Sequence, residues 1–168
     1  MSPTRSDQFD AATRLRITSD TANIARVRAA VQAAARRIGF PEADAAAIEL
    51  AINEAVSNVI RHGYQGRRGQ PIDVTLEPVY RPEGAGLQVT IRDHGRQVDP
   101  SVIVGRDLED VRPGGLGTHI MRTVMDEVEY KHREPEGMEL RLLKMIAGSP
   151  GGAGGTTDST REASADDK

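Results

Sequence analysis

Apolar residues recur along this chain with two periods, and the switches between them mark out its elements. Leu15 and Ile17 alternate with Arg14 and Arg16, as a half-buried strand requires. Ile24, Val27, Val31, Ala34, Ala35 and Ile38 then repeat at helical spacing, with Ser19 or Asp20 placed to cap that helix and Gly39 to end it. Pro41-Glu42-Ala43-Asp44 opens a second helix, its proline and acids suited to a first turn with free N–H groups and a positive dipole end. The second helix is predicted to run to His62 and to stop at Gly63.

The strand period returns at Ile72, Val74 and Leu76, and again at Leu87, Val89 and Ile91, with Pro82-Glu83-Gly84-Ala85-Gly86 turning the chain between them into an antiparallel hairpin. Asp93 to Gly114 has no regular period, and an irregular connection longer than ~12–15 residues is often a functional lid. Leu116, Ile120, Val124 and Met125 predict a third helix over 116–125. Val128 with Tyr130, then Leu140, Leu142 and Met145, read as two last strands joined by Glu134-Pro135-Glu136-Gly137. This order predicts an α+β fold, with helices on one face of a mixed, mostly antiparallel sheet. Residues 1–13 read as a flexible polar segment, 14–147 as the folded domain and 148–168 as a disordered tail rich in glycine, serine and threonine.

The totals narrow the chemistry. A chain of 168 residues, 38% hydrophobic but 3% aromatic, suits one domain with an aliphatic core. Its net charge of −3 offers no basic footprint for nucleic acid. With no cysteine there is no thiolate zinc site or thiol nucleophile, and the four histidines lack metal-ligand spacing. No apolar run approaches the ~18–20 residues that span a bilayer, and the polar start lacks a signal-peptide core, so a soluble cytoplasmic protein without membrane contact is expected.

Three segments carry candidate chemistry. At about 100° per residue, Glu54, Asn58 and His62 stack on one stripe of the second helix, at the edge of an apolar arc centred on Ile48, Ile52, Ala55, Val56 and Val59. Asn is unfavourable inside a helix, and it suits either a solvated or capping position or a hard neutral ligand for Mg²⁺. Glu54, one turn earlier, is placed to act as a base on an attacking hydroxyl. Asp93-His94-Gly95 after a strand is either a tight turn or a carboxylate for an exocyclic amine, beside a glycine that admits a flat ring. Gly114-Gly115-Leu116-Gly117-Thr118-His119 is either plain loop-to-helix packing or a phosphate cradle of free N–H groups. It is not a Walker loop, lacking Gly-Lys-Ser/Thr, and Ile120 stands where a dinucleotide fingerprint needs its third glycine.

Together and in this order the segments resemble the N, G1 and G2 boxes of the GHKL ATPase superfamily. Asn58-Val59-Ile60-Arg61-His62-Gly63-Tyr64, and Gly115-Leu116-Gly117 through Tyr130, are similar to the bacterial anti-sigma factor serine/threonine kinases. The resemblance implies a Bergerat α/β sandwich over 14–147 that binds ATP and Mg²⁺. It implies Asn58 on the metal, Glu54 as catalytic base, Asp93 on the adenine amine, Gly95, Gly115, Leu116, Gly117 and Thr118 around the nucleotide, and 99–114 as an ATP lid. It also implies two protein partners, a sigma factor that is sequestered and an antagonist phosphorylated on Ser or Thr, with a homodimer as the family expectation. Two positions depart from the superfamily: Gln97 stands at the second glycine of Asp-x-Gly-x-Gly, and Met138 where many relatives carry Thr. Arg61, Arg67, Arg68, Arg106 and Arg112 suit either phosphate contact or a solvated rim. The other readings are a nucleotide-binding regulatory module without turnover and a degenerate fold that no longer binds nucleotide.

Overall fold

A computed structural model describes residues 11–99 and 116–147. Residues 1–10 of the polar start, 100–114 of the expected lid, Gly115 and the 148–168 tail lie outside the described residues, as do Arg106 and Arg112. The elements run β1 (Thr13–Thr18), a short 3₁₀ turn, α1 (Ile24–Ile38), α2 (Glu42–Asn58), a π-helical turn (Val59–Gly63), β2 (Pro71–Arg81), β3 (Gly84–Asp93), α3 (Leu116–Val124), β4 (Glu127–His132) and β5 (Met138–Met145).

The strands form one sheet in the order β1-β2-β3-β5-β4. Every pairing in it is antiparallel, which narrows the expected mixed sheet. The pleat sends Ile17, Ile72, Val74, Leu76, Val89, Ile91, Leu140 and Leu142 to one face, where they meet Val27 and Val31 of α1, Ile48, Ile52 and Val56 of α2, and Met121 of α3 in a single aliphatic core. The opposite face is polar. There Arg16, Asp73, Arg92, Glu139 and Lys131 stand opposite one another in register, one from each strand, with alternating sign. Arg92 Nε lies 2.6 Å from Glu139 and Arg16 Nε lies 3.5 Å from Asp73.

Two helix ends differ from expectation. Neither Ser19 nor Asp20 caps α1 through its side chain. Ser19 Oγ donates to the Arg67 carbonyl and Asp20 pairs with Arg68 at 2.7 Å, so both residues pin the 65–70 loop to the end of β1. Gly39 ends α1 as expected, with a φ of 102° that a side chain would strain. At the other end of α2, Asn58 is the last α-helical residue, and the wider π turn that follows closes with Tyr64 N–H donating to Val59 O at 2.9 Å. Asn58 therefore stands at a change of helix type, where its propensity cost is smaller than inside a helix.

Candidate functional site

The largely buried helix α2 supplies the floor of a cavity of about 400 Å³ beside the sheet. Ala55, Asn58, Val59, Arg61, His62 and Gly63 line it from α2 and the π turn, Asp93, Arg96 and Val98 from the end of β3 onward, Thr118 from α3, and Tyr130, Met138 and Leu140 from β4 and β5. The structure thus gathers Asn58, Asp93 and Thr118, which lie far apart in the chain, around one space. Its wall is mostly apolar with a few polar groups, the composition that suits a flat organic ring with a charged tail.

Asp93 is buried, and its carboxylate is held by main chain. Oδ1 accepts from Gly95 N–H at 2.7 Å and from Met138 N–H at 3.3 Å. Both bonds fall on one oxygen, which leaves Oδ2 with capacity for a ligand. Burial pushes the Asp93 carboxyl above its ordinary range, against the opposite pull of the two amides, Arg133 and His94. The Met138 amide supports Asp93, and a main-chain donor needs no particular side chain. Gln97, at the other departure from the superfamily, turns outward to donate to Arg133 O at 2.6 Å. Arg133 in turn donates to Asp93 O at 2.6 Å, so the β4–β5 turn and the segment after β3 are tied together.

The glycines serve a different purpose from the one their sequence suggests. A Cβ on Gly95 would lie 2.6 Å from the Gly63 carbonyl oxygen, and one on Gly137 would lie 2.7 Å from the Asp93 carbonyl carbon. Protein backbone, not a flat ring, occupies the space that each glycine leaves. Gly95 does not line the cavity, and it acts through its amide on Asp93. Arg96 N–H donates to Gly63 O at 3.0 Å, which fastens the same crossing.

Glu54 also stands outside the cavity lining, one turn behind Asn58. A Cβ on Gly117 would lie 2.6 Å from Glu54 Oε2, so the start of α3 rests on this carboxylate. Arg61 Nη2 reaches both Glu54 Oε2 at 3.5 Å and Asn58 Oδ1 at 3.4 Å. Of the expected stripe, Asn58 and His62 face the cavity, whereas Glu54 meets it through Arg61. Leu116 begins α3, Thr118 lines the cavity, and Gly117 is buried against Glu54. Among the arginines in question, Arg61 lines the cavity while Arg68 is spent on Asp20.

Asn58 offers one neutral oxygen, and the described residues contain no cluster of three or more His, Cys, Asp or Glu that would hold a metal alone. This donor set fits Mg²⁺, which keeps several waters and binds through one or two protein oxygens together with substrate phosphates. It does not fit a dedicated protein cage.

The sequence assigns no role to Arg96 or Arg133, and places Tyr64 and Gly137 only as parts of a motif and a turn. Tyr64 is almost wholly buried, and its hydroxyl donates to Pro71 O while accepting from His94 N–H at 2.8 Å. It joins the helix end, the start of β2 and the Asp93 segment. Burial raises its phenol above the usual range and pushes that of Tyr130, in the cavity wall, up to about 12. The signal available in the sequence was a lone aromatic after a helix-ending glycine in a chain with few rings, since a buried hydroxyl must find partners.

Comparison with known proteins agrees with this geometry. Residues 17–144 match the histidine kinase-like ATPase domain. The serine-protein kinase RsbW of Bacillus cereus (strain ATCC 10987 / NRS 248) is 27% identical over 141 residues, covering 79% of this chain and 83% of the relative. That of Bacillus mycoides (strain KBAB4) is 25% identical over 140 residues, with the same coverage. Among solved structures, a chain of the SiaB–SiaC complex from Pseudomonas aeruginosa superposes with a TM-score of 0.56 at 16% identity, covering 77% of this chain and 88% of that one. The structure of the RsbU and RsbW domains of a Mycobacterium tuberculosis protein gives 0.55 at 17% identity over 81% of this chain, which spans about a third (32%) of that longer one. The family match covers the three helices, all the cavity-lining residues and the strands apart from the first four residues of β1 and the last of β5, so the chain belongs to the histidine kinase-like ATPase domain family.

Proposed function

We propose that the chain is an ATP- and Mg²⁺-dependent serine/threonine protein kinase that also works as an anti-sigma factor. It transfers the γ-phosphoryl group to a Ser or Thr of a small antagonist protein, and it sequesters a sigma factor when that antagonist is phosphorylated. The observation that carries this reading is the cavity with a supported carboxylate, Asp93, at one end and Asn58 at the other, with Glu54 one turn behind Asn58 and joined to it through Arg61. The relatives named serine-protein kinase support the choice of protein hydroxyl over water as the acceptor.

In this reading Asp93 Oδ2 accepts from the exocyclic amine of adenine, and the apolar wall of Val59, Val98, Met138 and Leu140 takes the ring. Asn58 Oδ1 would hold the Mg²⁺, which would supply positive charge against the phosphates. Glu54 accepts the proton of the attacking hydroxyl, and Thr118 with the start of α3 borders the phosphate side. The ATP lid of the same reading is 99–114. Incubation with γ-labelled ATP, Mg²⁺ and the cognate antagonist labels the antagonist, and Asn58→Ala does not; equal labelling by the two proteins defeats the proposal.

A second reading is a regulatory module that binds nucleotide and partners without turnover. The contact of Arg61 with Glu54 favours it, because the guanidinium occupies one oxygen of the carboxylate that the base reading needs. Calorimetric ATP binding together with an antagonist that forms a complex but stays unlabelled selects this reading.

A further inference from the structure

Among the described residues, Arg61 is the cation of the cavity wall that touches both members of the proposed chemical pair. It follows Asn58 by three residues, and the π turn carries it over the same edge of α2. Its Nη2 stands 3.5 Å from Glu54 Oε2 and 3.4 Å from Asn58 Oδ1, while its Nε donates to Ser57 O at 3.4 Å. A guanidinium that takes the amide oxygen of one residue and the carboxylate of another presents positive charge to the same two side chains that a divalent cation would address. The distances are long and the Arg61 side chain is 53% exposed, so this is a contact that a competitor can displace.

We propose that Arg61 is a resident counter-ion of the cation site. With no nucleotide bound it holds Glu54 and Asn58 toward each other, and a divalent cation enters only by displacing it. This rests on the reading of Asn58 as the metal ligand, and it adds an order to it. The bare protein discriminates against free metal, because Arg61 both screens the Glu54 carboxylate and repels a second cation a few ångströms away. A cation that arrives with polyphosphate brings negative charge that offsets this repulsion, so metal and nucleotide enter together. Arg61 is thus a positioning residue that acts through Glu54 and Asn58. A purely structural role, such as pinning the end of α2 to Ser57, would leave metal affinity unchanged.

The test is an electron-spin titration of Mn²⁺, a hard cation with the oxygen preference of Mg²⁺, into the nucleotide-free full-length protein. The set compares the native sequence with Arg61→Met, Arg61→Lys and the double variant Arg61→Met with Asn58→Ala. Arg61→Met is expected to bind Mn²⁺ about tenfold more tightly than the native protein, Arg61→Lys to stay within about twofold of it, and the double variant to lose the gain. Equal Mn²⁺ affinity for the native protein and Arg61→Met overturns the proposal, and so does a gain that survives loss of Asn58. Should Arg61→Met fail to fold by circular dichroism, Arg61→Gln removes the same charge and is read by the same criteria. The titration contains no nucleotide, so it stands apart from the kinase reading: an unlabelled antagonist beside a tenfold Mn²⁺ gain removes turnover and leaves the role of Arg61 in place.

Discussion

At the Asp93 end of the cavity main chain lies on main chain, whereas at the Glu54 end side chains lean on one another. Asp93 takes two amides, its carbonyl takes Arg133, and the backbones of Gly63 and Gly95 and of Asp93 and Gly137 cross where no Cβ fits. Little there can move without moving the sheet. Glu54 instead is held by a half-exposed arginine and by the space over Gly117, both of which give way to a modest push. The difference suits the proposed division of labour. A base-recognition end gains from being preformed, while a catalytic end has to rearrange when phosphates and metal arrive.

Substitutions at the glycines break this comparison most directly. Gly137→Ala puts a Cβ against the Asp93 backbone at a φ of 87°, so neither rotamer choice nor side-chain motion relieves it. Strain and forced backbone shift together cost about 3 kcal/mol, read as a fall in chemical-denaturation stability. Asp93→Asn comes next and acts on binding. Its amide oxygen can still accept from Gly95 and Met138, so the fold is kept, while the ligand-facing group changes from acceptor to donor. ATP affinity by calorimetry is expected to fall by about 2–3 kcal/mol, and a fall below tenfold would remove Asp93 from base recognition.

At the soft end the added Cβ of Gly117→Ala is too close only to Glu54 Oε2, at 2.6 Å, and makes ordinary contact with Glu54 Cβ and Cδ at 3.5 Å. The helix tolerates alanine, so stability stays level or rises by up to ~1 kcal/mol. Glu54 is displaced, and the phosphoryl-transfer rate drops about tenfold or more with ATP affinity nearly unchanged. A parallel loss of stability and rate would show that this end is as rigid as the other.

The smallest effect is in pH. The Asp93 pKa is raised by burial, so its folded value lies above its unfolded one. Its favourable contribution to folding is complete below the unfolded pKa and is lost as pH rises through the folded pKa. Ligand binding has the opposite sign, since an amine donor needs the ionised carboxylate. Adenine-nucleotide affinity is therefore expected to weaken as pH falls through the raised Asp93 pKa, starting at a higher pH than an ordinary aspartate would give. Calorimetry at stepped pH checks this, and an Asp93→Asn protein should lack that step.

Much of this molecule was legible from local pattern. The two periods located the α-helices and strands of the described residues to within a few residues, and the edge stripe of α2 pointed to a pocket wall at Asn58 and His62. Pattern failed where a residue's partner is distant. The capping reading of Ser19 and Asp20 was locally sound, but Arg67 and Arg68, nearly fifty residues on, claim both side chains.

What the sequence by itself determined was which residues face the core and in what order the candidate segments come, because periods of 3.6 and 2 are properties of neighbouring residues. Only the tertiary structure decided what fills the space beside each glycine, which oxygen of Asp93 is left for a ligand, and which cation stands between Glu54 and Asn58. The physical reason is steric. A missing Cβ is a vacancy whose occupant is chosen by the crossing of two segments, and in this chain Gly95 is met by Gly63, Gly137 by Asp93, and Gly117 by the Glu54 side chain at the foot of the stripe on α2.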